Sequence, residues 1–212
     1  MTKFNLGGLY VITDKKLIER DNFVHIVEQS IKGRARIVQL REKHTPTDEI
    51  IKLGKELLQV TRSYDVPLII NDSPELAKEI GADGVHLGGD DTSVKNARNL
   101  LGAQAIIGVS CYNQIDRGLN AVKAGADYVA FGTPYYTPTK PDREPTSIEV
   151  LKDAVDLIKE IPVFAIGGIT KDNADEILET GVDGIAVITS VYGSPNPQDS
   201  AIELSDLIKK FL

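Results

Sequence analysis

The chain has 212 residues, 42% of them hydrophobic, and a formal net charge of −7. That length and apolar content can bury a full core as one domain, while the acidic balance, with no basic face, excludes a general nucleic-acid surface. A single cysteine, Cys111, excludes an internal disulfide framework; no apolar run approaches the roughly 18 residues of a membrane span, and the opening Met1-Thr2-Lys3-Phe4-Asn5 carries no signal-like core, so a cytoplasmic protein is expected.

In chain order, short β-rich runs alternate with amphipathic segments. Strands are predicted at Leu9–Thr13, Arg36–Leu40, Pro67–Asn71, Gly84–Leu87, Ala105–Val109, Tyr128–Gly132, Val163–Ile166 and Gly184–Ile188. Helices are predicted near 22–32, 47–63, 74–80, 93–101, 113–124, 147–160, 172–180 and 198–211. Several strands are apolar on both faces, as when helices cover them. Eight strand–helix units in this length predict a single-domain α/β protein with the (β/α)8 TIM barrel architecture. A repeat agrees with this: Gly81-Ala82-Asp83, Gly125-Ala126-Asp127 and Gly181-Val182-Asp183 each join a helix to a strand. The glycines suit the left-handed position that closes a helix, and the aspartates read as turn formers at strand starts, not as catalysts.

In a barrel, chemistry gathers at the C-terminal strand ends. The second strand leaves through Gln39-Leu40-Arg41-Glu42-Lys43, and alternation puts residues 39, 41 and 43 on one face. Arg41 can grip a phosphate bidentately and Lys43 supplies a point charge. The third strand ends in Asn71-Asp72-Ser73-Pro74, where Asp72 or Ser73 can cap the following helix. The fourth runs from His86 to Gly88-Gly89-Asp90-Asp91, where Asp91 can also be a cap. Because the two strands are neighbours, Asp72 and Asp91 can instead meet across one Mg2+ that also binds substrate phosphate oxygens.

The fifth strand ends in Ser110, a donor to a ligand or to a strand-end backbone group, then Cys111, read as an inert packed thiol. After the sixth strand, Thr137-Pro138-Thr139-Lys140 forms a stiff, donor-rich loop able to approach an anion or simply to turn the chain. Gly167-Gly168 lets backbone N–H groups near a phosphate, with Ile188-Thr189 beside it. The histidines are read as bland: His25 in a helix, His44 past Lys43, His86 a satisfied core residue. Zinc spacing, a Walker A loop and a complete dinucleotide fingerprint are absent.

These motifs together (the Gln39–Lys43 run, Asn71-Asp72, His86-Leu87-Gly88 before Asp90-Asp91, Thr137–Lys140 and Gly167-Gly168-Ile169-Thr170) resemble the thiamine-phosphate synthase family over nearly the whole chain. The resemblance implies a Mg2+-dependent transferase joining a hydroxymethylpyrimidine pyrophosphate to a thiazole phosphate by a dissociative route. It implies that Gln39, Arg41, Lys43, Asn71, Ser110 and Lys140 contact the pyrimidine pyrophosphate, within a site lined by the whole run including Leu40 and Glu42. Arg41, Lys43 and Lys140 would carry the catalysis, and Asp72 and Asp91 would hold Mg2+. Thr137, Pro138, Thr139, Gly168 and the backbone at Ile188-Thr189 would hold the thiazole phosphate. Three positions depart from the family pattern: Gly89 replaces a frequent Gln, Thr189 a frequent Ser, and Cys111-Tyr112 a small residue and His. A thiazole tautomerase-type relative, a Schiff-base aldolase using Lys43 or Lys140, and a non-catalytic phosphate-ligand sensor are the alternatives. A homo-oligomer is compatible with any of them.

Overall fold

Strands that are apolar on both faces need two cores, and the computed structural model, which describes residues 4–43, 45–89, 91–137 and 144–212, supplies both. Eight strands, β1 (Gly8–Ile12), β2 (Ile37–Leu40), β3 (Leu68–Asn71), β4 (Gly84–Leu87), β5 (Ile106–Tyr112), β6 (Tyr128–Gly132), β7 (Val163–Ile166) and β8 (Gly184–Val187), pair in parallel in chain order, and β8 closes on β1. The helices are α1 (Phe23–Lys32), α2 (Thr47–Ser63), α3 (Pro74–Ile80), α4 (Val94–Leu101), α5 (Ile115–Lys123), α6 (Ile148–Leu157), α7 (Ala174–Leu178), α8 (Thr189–Tyr192) and α9 (Pro197–Ile208). This is the expected (β/α)8 TIM barrel.

Alternation sorts the strand residues into two layers. Leu9, Val11, Val38, Leu40, Leu68, Ile70, Val85, Ile107 and Val129 join the helices in the outer core. Tyr10, Ile12, Ile37, Ile69, Ile106, Tyr128 and Phe164 fill the barrel interior, with Tyr10, Tyr128 and Phe164 in mutual edge-to-face contact at 5.4–5.8 Å. An eight-stranded barrel has room for these rings only where a neighbour is small. A β-carbon on Gly108 would lie 2.0 Å from the Tyr128 ring, so glycine there admits the tyrosine.

The three repeat aspartates share one task at the N-terminal rim. Asp83 Oδ2 accepts from the Leu68 N–H at 3.0 Å, Asp127 from Ile107 at 2.8 Å and Asp183 from Val163 at 2.8 Å. Each ties the start of the strand before its own, satisfying an N–H that would otherwise end the ladder unpaired. The preceding glycines, Gly81, Gly125 and Gly181, hold φ of 77°, 87° and 86°. All three aspartates stand at strand starts, as expected, and none of them lines the cavity at the other end of the barrel.

Strand β5 and the short helix α8 differ from expectation. Strand β5 runs to Tyr112 instead of stopping at Val109, because a register shift between Ser110 and Tyr112 inserts one residue and prolongs the pairing with β6. The short α8 has no counterpart among the predicted segments, since four residues carry no readable helical period.

Candidate active site

The C-terminal strand ends surround a cavity of about 430 Å³. Its wall is laid down strand by strand: Tyr10 and Ile12 from β1, Gln39 and Arg41 at β2, Asn71 from β3, His86 from β4, Ser110 and Tyr112 from β5, with Tyr136 and Thr137 beyond β6. Gly167 to Thr170 follow β7, and Ile188 to Ser190 follow β8. All inward parity positions of the second to fifth strand ends are polar here, in contrast to the apolar floor beneath them.

Arg41 is held on both sides. Its backbone N–H donates to Thr13 Oγ1 at 3.0 Å, and its guanidinium lies 3.9 Å from the Asp14 carboxylate, both side chains being mostly buried. Lys43 is more exposed and sits 3.8 Å from Asp72. Leu40 and Glu42, expected among the substrate-binding residues, point elsewhere. Leu40 packs in the outer core and Glu42 accepts from the Thr45 hydroxyl at 2.8 Å. The cause is the pleat: their neighbours Gln39 and Arg41 take the inward face. Pro138, Thr139 and Lys140, together with His44 and Asp90, lie outside the described residues.

The aspartates are not caps. Ser73 Oγ accepts from the Leu76 N–H at 3.2 Å and Ser93 Oγ from Asn96 at 3.2 Å, so serines cap α3 and α4. Asp72, in the left-handed region at φ 65°, takes the His86 carbonyl with its backbone N–H at 2.9 Å. Asp91 folds back to accept from the Gly88 N–H at 2.5 Å. Both carboxylates converge on the hollow left by Gly88: a β-carbon there would lie 3.0 Å from Asp91 Oδ2 and 3.8 Å from Asp72 Oδ1. Two hard carboxylate oxygens around a space that a side chain would fill are a fitting donor set for Mg2+, which takes its remaining ligands from water and substrate phosphate. Among the described residues no cluster of three metal-binding side chains forms.

Across the cavity, Gly167 and Gly168 hold φ of 114° and 66°, and a β-carbon on Gly168 would lie 2.3 Å from the Tyr136 carbonyl oxygen. Glycine lets the β6 and β7 loops touch. The Gly168 carbonyl accepts from Asn173 Nδ2 at 3.1 Å, while Ser190 Oγ donates to the Ile169 carbonyl. Thr189 and Ser190 open α8, whose leading N–H groups have no intrahelical partner. The β7 and β8 loops with a short extra helix form the usual barrel setting for a phosphate.

Several residues were missed or undervalued from sequence. His86 is only 6% exposed, as a core residue should be, yet it lines the cavity and bonds Ser110 Oγ at 2.9 Å and the Tyr128 hydroxyl at 3.0 Å. Arg117 from α5 donates to the Ser110 carbonyl at 2.6 Å and the Gly88 carbonyl at 2.8 Å, tying two strand ends, and lies 5.6 Å over the Tyr112 ring. The Tyr112 hydroxyl accepts from the Gly89 N–H at 2.9 Å, where a β-carbon on Gly89 would approach it to 3.1 Å. Cys111 is buried on the outer face, and burial pushes its thiol up to about 12, so it is not a nucleophile.

The family model described as thiamine monophosphate synthase matches residues 9–191. A thiamine-phosphate synthase of Marinobacter nauticus is 44% identical over 192 residues, 91% of this chain and 85% of that protein. One of Clostridium acetobutylicum is 42% identical over 202 residues, 95% of each chain. The solved thiamine phosphate pyrophosphorylase of Pyrococcus furiosus superposes with a TM-score of 0.88 at 40% identity, covering 97% of this chain and 96% of that one.

Proposed function

Since the chain belongs to the thiamine monophosphate synthase family, we propose that its cavity joins a 4-amino-5-hydroxymethyl-2-methylpyrimidine pyrophosphate to a thiazole phosphate, releasing pyrophosphate and thiamine phosphate. The observation that carries this reading is the gathering of Arg41, Asp72 and Asp91 at one rim, with the Gly167-Gly168 turn and α8 at the other. One rim suits a pyrophosphate and its metal, the other a phosphate monoester, and the cavity of about 430 Å³ between them has room for two rings.

The reaction breaks the bond between the pyrimidine methylene and the pyrophosphate oxygen, and the electron pair leaves with pyrophosphate. The electron-rich aminopyrimidine supports the methylene cation that remains. The thiazole nitrogen then donates its lone pair to form the C–N bond, giving the thiazolium. No proton is removed from the nucleophile, so no general base is needed, in keeping with a cavity whose histidine is tied into a hydrogen-bond network. Arg41, oriented by Asp14, and Lys43 stabilise charge as it grows on the leaving pyrophosphate. Asp72 and Asp91 would hold Mg2+, which when bound supplies Lewis-acid stabilisation to the departing group. The apolar side chains of Ile12, Ala130, Ile166 and Ala186 in the cavity wall keep water from the cation. Lys43 is exposed and paired with a carboxylate, not desolvated as a Schiff-base lysine must be, which disfavours Lys43 as the nucleophile of the aldolase alternative.

The test is turnover with both precursors, with and without Mg2+. Thiamine phosphate and pyrophosphate should appear one for one and only with the metal; pyrophosphate release without the metal would end the metal part of the reading.

A further inference from the structure

A chain of five polar groups crosses the floor of the cavity inside an otherwise apolar barrel. Gln39 Nε2 donates to the Tyr10 hydroxyl at 2.5 Å, Tyr10 and Tyr128 share a hydroxyl–hydroxyl bond of 2.8 Å, Tyr128 meets His86 Nδ1 at 3.0 Å, and His86 Nε2 meets Ser110 Oγ at 2.9 Å. Gln39, Tyr10 and His86 are buried, Tyr128 is fully so, and the two ends of the chain, Gln39 and Ser110, both line the cavity.

With the Gln39 amide nitrogen on Tyr10 and a neutral His86, proton counting gives the direction of every bond. An amide nitrogen only donates, so the Tyr10 oxygen accepts from Gln39. Tyr10 has one proton, which goes to Tyr128; the single Tyr128 proton goes to His86 Nδ1. His86 therefore carries its proton on Nε2 and gives it to Ser110, leaving the Ser110 proton to point into the cavity. At the other end the Gln39 Oε1, which has no partner among the described residues, is left as an acceptor. For a neutral His86 the chain has one other self-consistent arrangement, with all five groups reversed, which would turn the acceptor end into a donor and the donor end into an acceptor. Mixed states leave two protons or two lone pairs facing each other in a low-dielectric interior, where an unmade bond is expensive. Burial raises the pKa of both tyrosine hydroxyls, so neither ionises to break the sequence.

We propose that this one-way relay sets the cavity's specificity, with Tyr10, Tyr128 and His86 as positioning residues that lock an acceptor at Gln39 and a donor at Ser110. The ligand that matches is a heteroaromatic ring with an exocyclic amino donor and a bare ring nitrogen. A 4-oxo ring, with its carbonyl and ring N–H, presents the reverse pattern and meets like against like at both ends. The inference rests on the reading of the cavity as an aminopyrimidine site and adds how the amino form is chosen over the oxo form.

The test begins without any variant. With three histidines in the chain, long-range 15N–1H NMR of the intact protein, assigned with His25→Gln and His44→Gln, reads the His86 tautomer directly. The Nε2–H tautomer is expected at neutral pH; an Nδ1–H tautomer or a charged ring overturns the proposal. Binding is then compared for the 4-amino pyrimidine pyrophosphate and its 4-oxo counterpart. The wild type should prefer the amino form by at least tenfold, and Tyr128→Phe should erase about tenfold of that preference, the scale of one hydrogen bond. The KM for the thiazole phosphate should stay unchanged. Tyr10→Phe cuts the relay at a second point and should do the same. Discrimination untouched by either cut overturns the relay. A protein that makes no thiamine phosphate, yet shows the Nε2–H tautomer and a preference that both cuts reduce, upholds the relay and removes only the assigned reaction.

Discussion

Arg41 illustrates how much of the site is decided by single side chains and their immediate partners. Its charge was legible from sequence, but its aim was not, because Asp14 lies 27 positions away in number and only the β1–β2 pairing brings it to 3.9 Å. Arg41→Ala should slow turnover by roughly 10²–10³-fold, the loss of one preorganised charge-stabilising donor, with an unchanged melting temperature. Asp14→Asn keeps an acceptor for the Lys16 N–H, which Asp14 Oδ1 now takes at 2.9 Å, and removes only the charge. A kcat about tenfold lower is expected for it; wild-type kcat would mean that Arg41 needs no such guide. Asp91 is a different case, since sequence left it between cap and ligand. Ser93 does the capping, so Asp91→Asn should raise the Mg2+ needed for half-activity by roughly 10–100-fold, the scale of a disturbed metal environment, without altering stability. If thermal melting falls and the metal requirement does not move, Asp91 serves the loop and not an ion.

Strands and helices were legible where a period ran long enough, and α2 and α3 begin and end where the pattern placed them. The end of β5 was not. A bulge places Tyr112 at φ 56°, sends Cys111 outward and turns the tyrosine toward the β4 loop, where its hydroxyl occupies the space next to Gly89. Two departures from the family pattern, read separately along the chain, are thus one arrangement in space: a bare position at 89 and a long ring at 112 that reaches it. Likewise, the relay of Tyr10, Tyr128 and His86 was hidden because each sits alone in an apolar strand and reads as core. The available signal was parity, since all three share the inward face with Gln39 and Ser110. The β7 loop carries its own prediction. Gly168→Ala forces a β-carbon against the Tyr136 carbonyl and holds a side chain at positive φ, costing about 1–2 kcal/mol for the backbone alone. Its melting temperature should fall and its KM for the thiazole phosphate rise; a normal KM would move the phosphate away from this turn.

For the molecule as a whole, Cys111 offers a reporter. The thiolate is the reactive form, and burial holds this thiol neutral well above neutral pH. A thiol reagent at pH 8 should therefore label almost no native protein and one equivalent of unfolded protein, so the labelling rate follows opening of the outer core. Rapid labelling of the native form would show that this face of β5 breathes.

The aspartate ties at the N-terminal rim divide the barrel unevenly. Asp83, Asp127 and Asp183 bind β3 to β4, β5 to β6 and β7 to β8, making three stapled quarters. The first quarter has Arg36 where the others have aspartate, and among the described residues no such staple joins β1 to β2. Native-state hydrogen exchange should then show the amides of Leu68, Ile107 and Val163 as the slowest at that rim, with the β1 amides exchanging earlier. The ring would unzip from its oldest seam in chain order, where the first strand must wait for the last.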